Sequence, residues 1–97
     1  MAYFTINNVA FRGVAACVPK KILRTEDIPL FTAEEAAKFN EQVGIYRRRV
    51  AEENVCTSDL CYEAAVKLMD DLKWDRKDVD ALIFGSTTPD YRTPATS

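Results

Sequence analysis

Between Ser58 and Leu72 the residues Cys61, Ala64, Ala65, Leu68, Met69 and Leu72 recur at i, i+3, i+4, i+7, i+8 and i+11. Only an α-helix brings positions with that spacing onto one face. Glu63, Lys67, Asp70 and Asp71 stay off the stripe. A helix with one apolar stripe must bury it against another element, so the rest of the chain has to supply a cover. Ser58 is placed to cap the helix start, and Asp59 suits the positive end of its dipole. After the polar connection Asp75-Arg76-Lys77-Asp78 comes Val79-Asp80-Ala81-Leu82-Ile83-Phe84-Gly85. Its last apolar stretch is short and continuous, as in a strand covered on both faces. A helix feeding such a strand predicts a parallel sheet.

The earlier sequence supplies the other elements. The nearly continuous apolar run Val9 to Val18, ended by Pro19, is too short and punctuated for a core helix and reads as a buried strand. Thr25-Glu26-Asp27 offers a capped turn before Pro29. Thr32-Ala33-Glu34-Glu35 has the form of a capping box, which predicts a helix from Thr32 with Ala36, Phe39 and Val43 on one side. Gly44 stands where a left-handed residue would end it, after about three turns. Arg47-Arg48-Arg49-Val50-Ala51 has extended character before the acidic pair Glu52-Glu53. The tail from Ser86 is rich in Ser, Thr and Pro, and Pro94-Ala95-Thr96-Ser97 suits the opening of another helix. No repeat runs through this order. Two strong strands make a poor sheet, so the α/β layer reads as incomplete.

Composition narrows the function more than the fold. A chain of 97 residues has room for one small domain. At 11.0 kDa it would expose about 5,600 Å² when compact against roughly 16,000 Å² unfolded, so a core is expected. Hydrophobic residues at 47% and charged residues at 29%, with 3 Gly and 4 Pro, exclude collagen-like and disordered classes. A net charge of -2 supplies no positive field, which argues against nucleic acid as a partner. No apolar stretch approaches the roughly 18 residues needed to span a bilayer, and no signal peptide opens the chain; the expectation is no membrane and a cytoplasmic location. Cys17, Cys56 and Cys61 are odd in number and form no CxxC pair, so they read as reduced thiols, with neither a disulfide framework nor a metal site. Histidine is absent, with a count of 0. The 97 residues therefore cannot supply an imidazole base, a Cys-His pair or a His-ligated metal by themselves.

Three segments together resemble the N-terminal portion of the β-ketoacyl-acyl-carrier-protein synthase III family, condensing enzymes of thiolase-like fold. The first is Val43-Gly44-Ile45-Tyr46-Arg47-Arg48-Arg49, similar to the family's Gly-Ile motif with paired arginines. The second is Ser58-Asp59-Leu60-Cys61-Tyr62-Glu63-Ala64-Ala65, similar to the start of its next helix. The third is Asp78 to Tyr91, with Thr87-Thr88-Pro89-Asp90 in its loop and Pro94-Ala95-Thr96-Ser97 after it. The resemblance spans nearly all of residues 1–97 and implies an incomplete, N-terminal part of a thiolase-like layered fold.

The implied activity is acyl transfer from an acyl-CoA thioester to a cysteine, followed by decarboxylative condensation with malonyl on an acyl carrier protein, in fatty-acid or polyketide synthesis. The implied partners are acyl-CoA, as substrate rather than cofactor, acyl carrier protein and a second copy in a homodimer. The family's nucleophilic Cys, with its His and Asn, falls outside these residues, so the 97-residue chain alone is expected to be inactive. A sister condensing enzyme such as 3-hydroxy-3-methylglutaryl-CoA synthase shares this architecture. A non-catalytic α/β interaction module is the reading from another class.

Within that frame no residue here is expected to be catalytic or to bind a metal. Cys61 lies near a helix start, where a thiol is activated, but its place on the apolar stripe reads as a buried structural thiol. Arg47 and Arg48 are candidate substrate-binding residues, because guanidinium groups match phosphate and carboxylate geometry. The plainer alternative is a solvated segment paired with Glu52 and Glu53. Thr87 and Thr93 are the other candidates, because the resemblance places their loop near the dimer interface and the partner's acyl pocket; a solvent loop is the alternative. Where the family carries a Trp and an Arg for coenzyme A, this chain has Lys38 and Gln42. Trp74 is expected at a helix end, in the core.

Overall fold

The computed structural model describes residues 1–93. Along the chain run strand β1 (Lys21–Arg24), a 3-10 turn (Thr25–Asp27), helix α1 (Ala33–Val43), strand β2 (Arg47–Val50), helix α2 (Thr57–Leu72) and a second 3-10 turn (Arg76–Asp78). The expected helix opening in Pro94–Ser97 lies outside the described residues.

Helix α1 has the ends its sequence predicts. The Glu35 N–H donates to Thr32 Oγ1 at 3.2 Å while the Thr32 N–H donates to Glu35 Oε2 at 2.9 Å, a complete capping box. Gly44, at φ 73°, ends the helix in the left-handed region and donates to the Asn40 carbonyl at 2.9 Å. Ala36 is buried and Phe39 packs against Phe31, with ring centroids 5.4 Å apart. Val43, the third expected apolar position, is exposed.

The extended arginine segment is β2, and its partner is β1. The two pair antiparallel, with Lys21 opposite Val50, Ile22 opposite Arg49, Leu23 opposite Arg48 and Arg24 opposite Arg47. Thr25 then closes the ladder. Its N–H donates to the Tyr46 carbonyl at 3.1 Å, and its fully buried hydroxyl reaches the carbonyls of Ile45 at 2.9 Å and Tyr46 at 3.3 Å. The turn at Thr25 is therefore present, but its side chain secures tertiary structure rather than capping the turn.

Helix α2 begins slightly earlier than expected. Cys56, not Ser58, is the N-cap, and its N–H donates to Asp59 Oδ2 at 2.8 Å. At the other end Lys73 takes the left-handed conformation, φ 55°, and the Trp74 N–H donates to the Met69 carbonyl at 2.9 Å. Trp74 is exposed rather than buried in a core. Of the stripe, Ala64, Leu68, Met69 and Leu72 are half-buried, whereas Cys61 and Ala65 are exposed.

Two strand expectations fail. Neither 9–18 nor 79–85 forms a strand, and the sheet among the described residues is the antiparallel pair β1-β2. The first run still keeps a period of two: Gly13, Ala15, Cys17 and Pro19 are half-buried, Val14, Ala16 and Val18 exposed. Its covered side lies on α2, where a Cβ at position 13 would stand 3.1 Å from Leu68 Cδ1 and 3.4 Å from Leu72 Cδ2. Glycine is what lets this segment approach so closely. The second run is barer, with Leu82 68% and Ile83 98% exposed. The apolar patterns are those of covered strands, but no described residue offers either segment a ladder partner.

The expected core is missing for the same reason. Ala36 is the one buried hydrophobic residue among those described. The surface of 9,198 Å² far exceeds the roughly 5,600 Å² of a compact chain of this mass. The radius of gyration is 18.8 Å, where about 12.5 Å would be compact.

Candidate functional site

Cross-strand partners point to the same side of a ladder, so the β1-β2 register sorts the cations. Ile22, Arg24, Arg47 and Arg49 share one face; Lys21, Leu23, Arg48 and Val50 share the other. Arg24 and Arg47, directly opposite, are like charges, an arrangement that costs stability unless an anion lies nearby. Arg49 folds back along the chain, Nη1 donating to the carbonyls of Lys20 at 3.0 Å and Pro19 at 3.3 Å. The Arg48 guanidinium lies 5.8 Å from the Phe39 ring centroid, a cation–π contact. Among the described residues none of Arg47, Arg48 and Arg49 forms an ion pair with Glu52 or Glu53, so the salt-paired alternative is not what the structure shows. All three arginines are exposed and, with Ile22, line a shallow groove of about 220 Å³. Lys38 pairs with Glu34 at 3.7 Å.

The second candidate lies elsewhere. Thr87 and Thr93 are exposed in the loop that follows the 79–85 run. The arginine groove contains no residue of that loop, so the structure does not bring the two pairs of candidates together. The loop is tied to the start of α2 by residues that the sequence did not single out as a pair. Ser58 Oγ donates to the Asp90 carboxylate, at 2.7 and 2.9 Å from its two oxygens, and the Thr57 and Thr88 hydroxyls lie 2.7 Å apart. Beside these ties runs an open groove of about 700 Å³, with Cys61, Tyr62 and Ala65 of α2 on one wall and Leu82 to Gly85 on the other.

The two grooves are open surfaces, and among the described residues no nucleophile stands beside a base. Cys61 reaches the groove and is exposed, contrary to its expected burial, because among the described residues its side of α2 borders this open groove rather than a packed element. Cys56 is exposed and Cys17 half-buried, and all three thiols are free. The carboxylates have structural work: Glu35 in the α1 cap, Asp59 in the α2 cap, and Glu26 accepting from buried Asn40 Nδ2 at 3.3 Å. Among the described residues no group of His, Cys, Asp and Glu gathers as a metal site, and no helix is long and apolar enough to cross a membrane.

No protein-family model matches the chain. Its sequence is similar to β-ketoacyl-acyl-carrier-protein synthase III 2 of Staphylococcus epidermidis, with 37% identity over 78 residues, 80% of this chain and 24% of the relative. It is also similar to β-ketoacyl-acyl-carrier-protein synthase III of Rhodopirellula baltica, with 32% identity over 92 residues, 95% of this chain and 26% of the relative. In structure it resembles the 3-oxoacyl-(acyl-carrier protein) synthase of Burkholderia xenovorans LB400, with a TM-score of 0.76 and 37% identity, covering 84% of this chain and 25% of that one. The chain thus spans about a quarter of the length of the proteins it matches.

Proposed function

Because the chain corresponds to the N-terminal portion of a β-ketoacyl-acyl-carrier-protein synthase III, an incomplete thiolase-like layer, we propose that it is the scaffold part of a condensing enzyme. The parent takes an acyl group from acyl-CoA onto a cysteine thiolate, releasing coenzyme A. Malonyl on an acyl carrier protein then loses carbon dioxide, and the resulting carbanion displaces the thiolate to form the 3-oxoacyl product. The Cys, His and Asn of that chemistry belong to the remainder of the parent. The 97 residues supply surfaces and no turnover. Residues 1–97 form one partial domain in this reading, and the parent acts as a cytoplasmic homodimer.

The observation that carries the reading is the joint agreement of sequence and fold, 37% identity at a TM-score of 0.76 over 84% of the chain. Synthase III relatives favour it over 3-hydroxy-3-methylglutaryl-CoA synthase and over a stand-alone interaction module. Arg47 and Arg48 are proposed to meet anionic groups of the substrates, coenzyme A phosphates or an acidic carrier protein, and Thr87 and Thr93 to border the substrate from the loop. Exposure of the arginines, with no acidic partner among the described residues, supports the first assignment.

The test is a chimera in which residues 1–97 replace the matched quarter of the Staphylococcus epidermidis synthase. The chimera is expected to condense acyl-CoA with malonyl carrier protein, while the 97-residue chain alone shows no turnover. Arg47→Ala with Arg48→Ala in the chimera should raise KM for acyl-CoA about tenfold with kcat little changed, the pattern of lost uniform binding. A chimera that folds as a dimer yet has no turnover contradicts the proposal, as does turnover by the isolated chain.

A further inference from the structure

The hydroxyl of Ser58 does not cap the helix on which it sits. It leaves the first turn of α2 and donates to Asp90, 32 positions away, at 2.7 and 2.9 Å from the two carboxylate oxygens. One residue earlier, Thr57 Oγ1 meets Thr88 Oγ1 at 2.7 Å. Thr88 is steadied in turn by Ser86 Oγ, which accepts the Thr88 N–H at 3.0 Å. Both Ser58 and Asp90 are half-buried. A hydrogen bond to an ionised acceptor is about twice as strong as a neutral one. The Asp90 carboxylate also faces the first turn of a 16-residue helix, where free N–H groups and the dipole favour negative charge. Packing does little to hold this segment: just upstream Leu82 is 68% and Ile83 98% exposed.

We propose that Ser58 and Asp90, with Thr57 and Thr88 beside them, are positioning residues. They clamp the 86–93 loop onto the first turn of α2 and so fix the groove wall that ends at Gly85. The clamp itself touches no substrate. In the condensing-enzyme reading, on which this consequence rests, it holds Thr87 and Thr93 in place for the substrate.

Backbone 15N relaxation on the 97-residue chain tests the clamp. Amides of Ser86 to Thr88 and Asp90 to Arg92 should have order parameters near those of α2. In Ser58→Ala or Asp90→Ala they should fall below about 0.6, the range of flexible backbone, while Glu63 to Leu72 keep theirs. Ser58→Thr, which retains the hydroxyl, should restore the loop, and Asp90→Asn, which retains one acceptor oxygen, should lie between. The double substitution should lose less than the sum of the single losses, because the two residues share one bond. A wild-type loop already below about 0.6 overturns the clamp. So does a loop unmoved by both alanine variants, or a loss of order in α2 equal to that in the loop. The wider reading fails separately: if the clamp holds but Thr87→Ala and Thr93→Ala leave KM of the chimera unchanged, the clamp stands and the substrate role of the threonines does not.

Discussion

Thr25 holds the first half of the chain together from a position with no solvent exposure, its hydroxyl directed at the carbonyl of Ile45 at 2.9 Å and its N–H at Tyr46. Thr25→Val keeps the shape but leaves a carbonyl unpaired, which should cost about 1 kcal/mol. Amide exchange at position 25 should then quicken about fivefold; unchanged exchange would show that the hydroxyl is idle. The cysteines give a second prediction at this scale. Cys56 and Cys61 are exposed and Cys17 half-buried. In native chain the first two should react with a thiol reagent nearly as fast as after denaturation, and Cys17 several-fold more slowly. A slow Cys61 would mean that its side of α2 is covered. The sequence placed Cys61 correctly on the helical stripe and wrongly inside. Periodicity reports which face a residue occupies, whereas burial depends on what packs there.

Elements were legible where their signals are local. The Thr32-to-Glu35 box and Gly44 mark both ends of α1 because caps involve only the nearest few residues. Thr32→Ala should cost about 1 kcal/mol, seen as faster exchange of the Glu35 amide. Lys73 ends α2 in the left-handed region without being glycine. Lys73→Gly removes that steric cost and should stabilise the last turn by about 1 kcal/mol, visible as slower exchange at Trp74, whose N–H meets the Met69 carbonyl. Faster exchange at Trp74 would contradict this account of the end of α2. Strand β1 is not legible in the sequence because Lys21-Ile22-Leu23-Arg24 has no apolar alternation, and its partner lies 23 positions away even at the nearest pair, where Arg24 meets Arg47. The runs 9–18 and 79–85 were read as strands from a hydrophobicity that is real, but a strand is defined by its neighbour.

At the scale of the whole molecule, the chain buries roughly a third less area than a compact chain of its mass would, by the surface scaling laws. Buried Thr25, Ala36 and Asn40 all lie where α1 and the turn before it meet the β1-β2 ladder; α2 has no buried residue and is met mainly by irregular segments. Exposed apolar residues such as Val14, Val18, Leu82 and Ile83 should recruit other chains. Sedimentation velocity over a concentration series should show association: a single dimer would support a defined interface, a broad ladder uncovered surface. A monomer at every concentration would contradict both. The candidate site was legible only in part. The arginine segment and the threonine loop stand out in the sequence, but Ser58 and Asp90 are 32 positions apart, and nothing local announces that they meet.

In the proposed function these residues are one incomplete layer of a larger condensing enzyme rather than a domain with its own core. Urea unfolding of the 97-residue chain tests it most directly, followed by far-UV circular dichroism for both helices and by fluorescence of Trp74, the single tryptophan, at the end of α2. The account predicts shallow transitions that do not coincide, with slopes below those of a compact protein of this size, since the slope scales with the area exposed on unfolding. One steep transition, identical by both probes and with the slope of a fully packed domain, would contradict it.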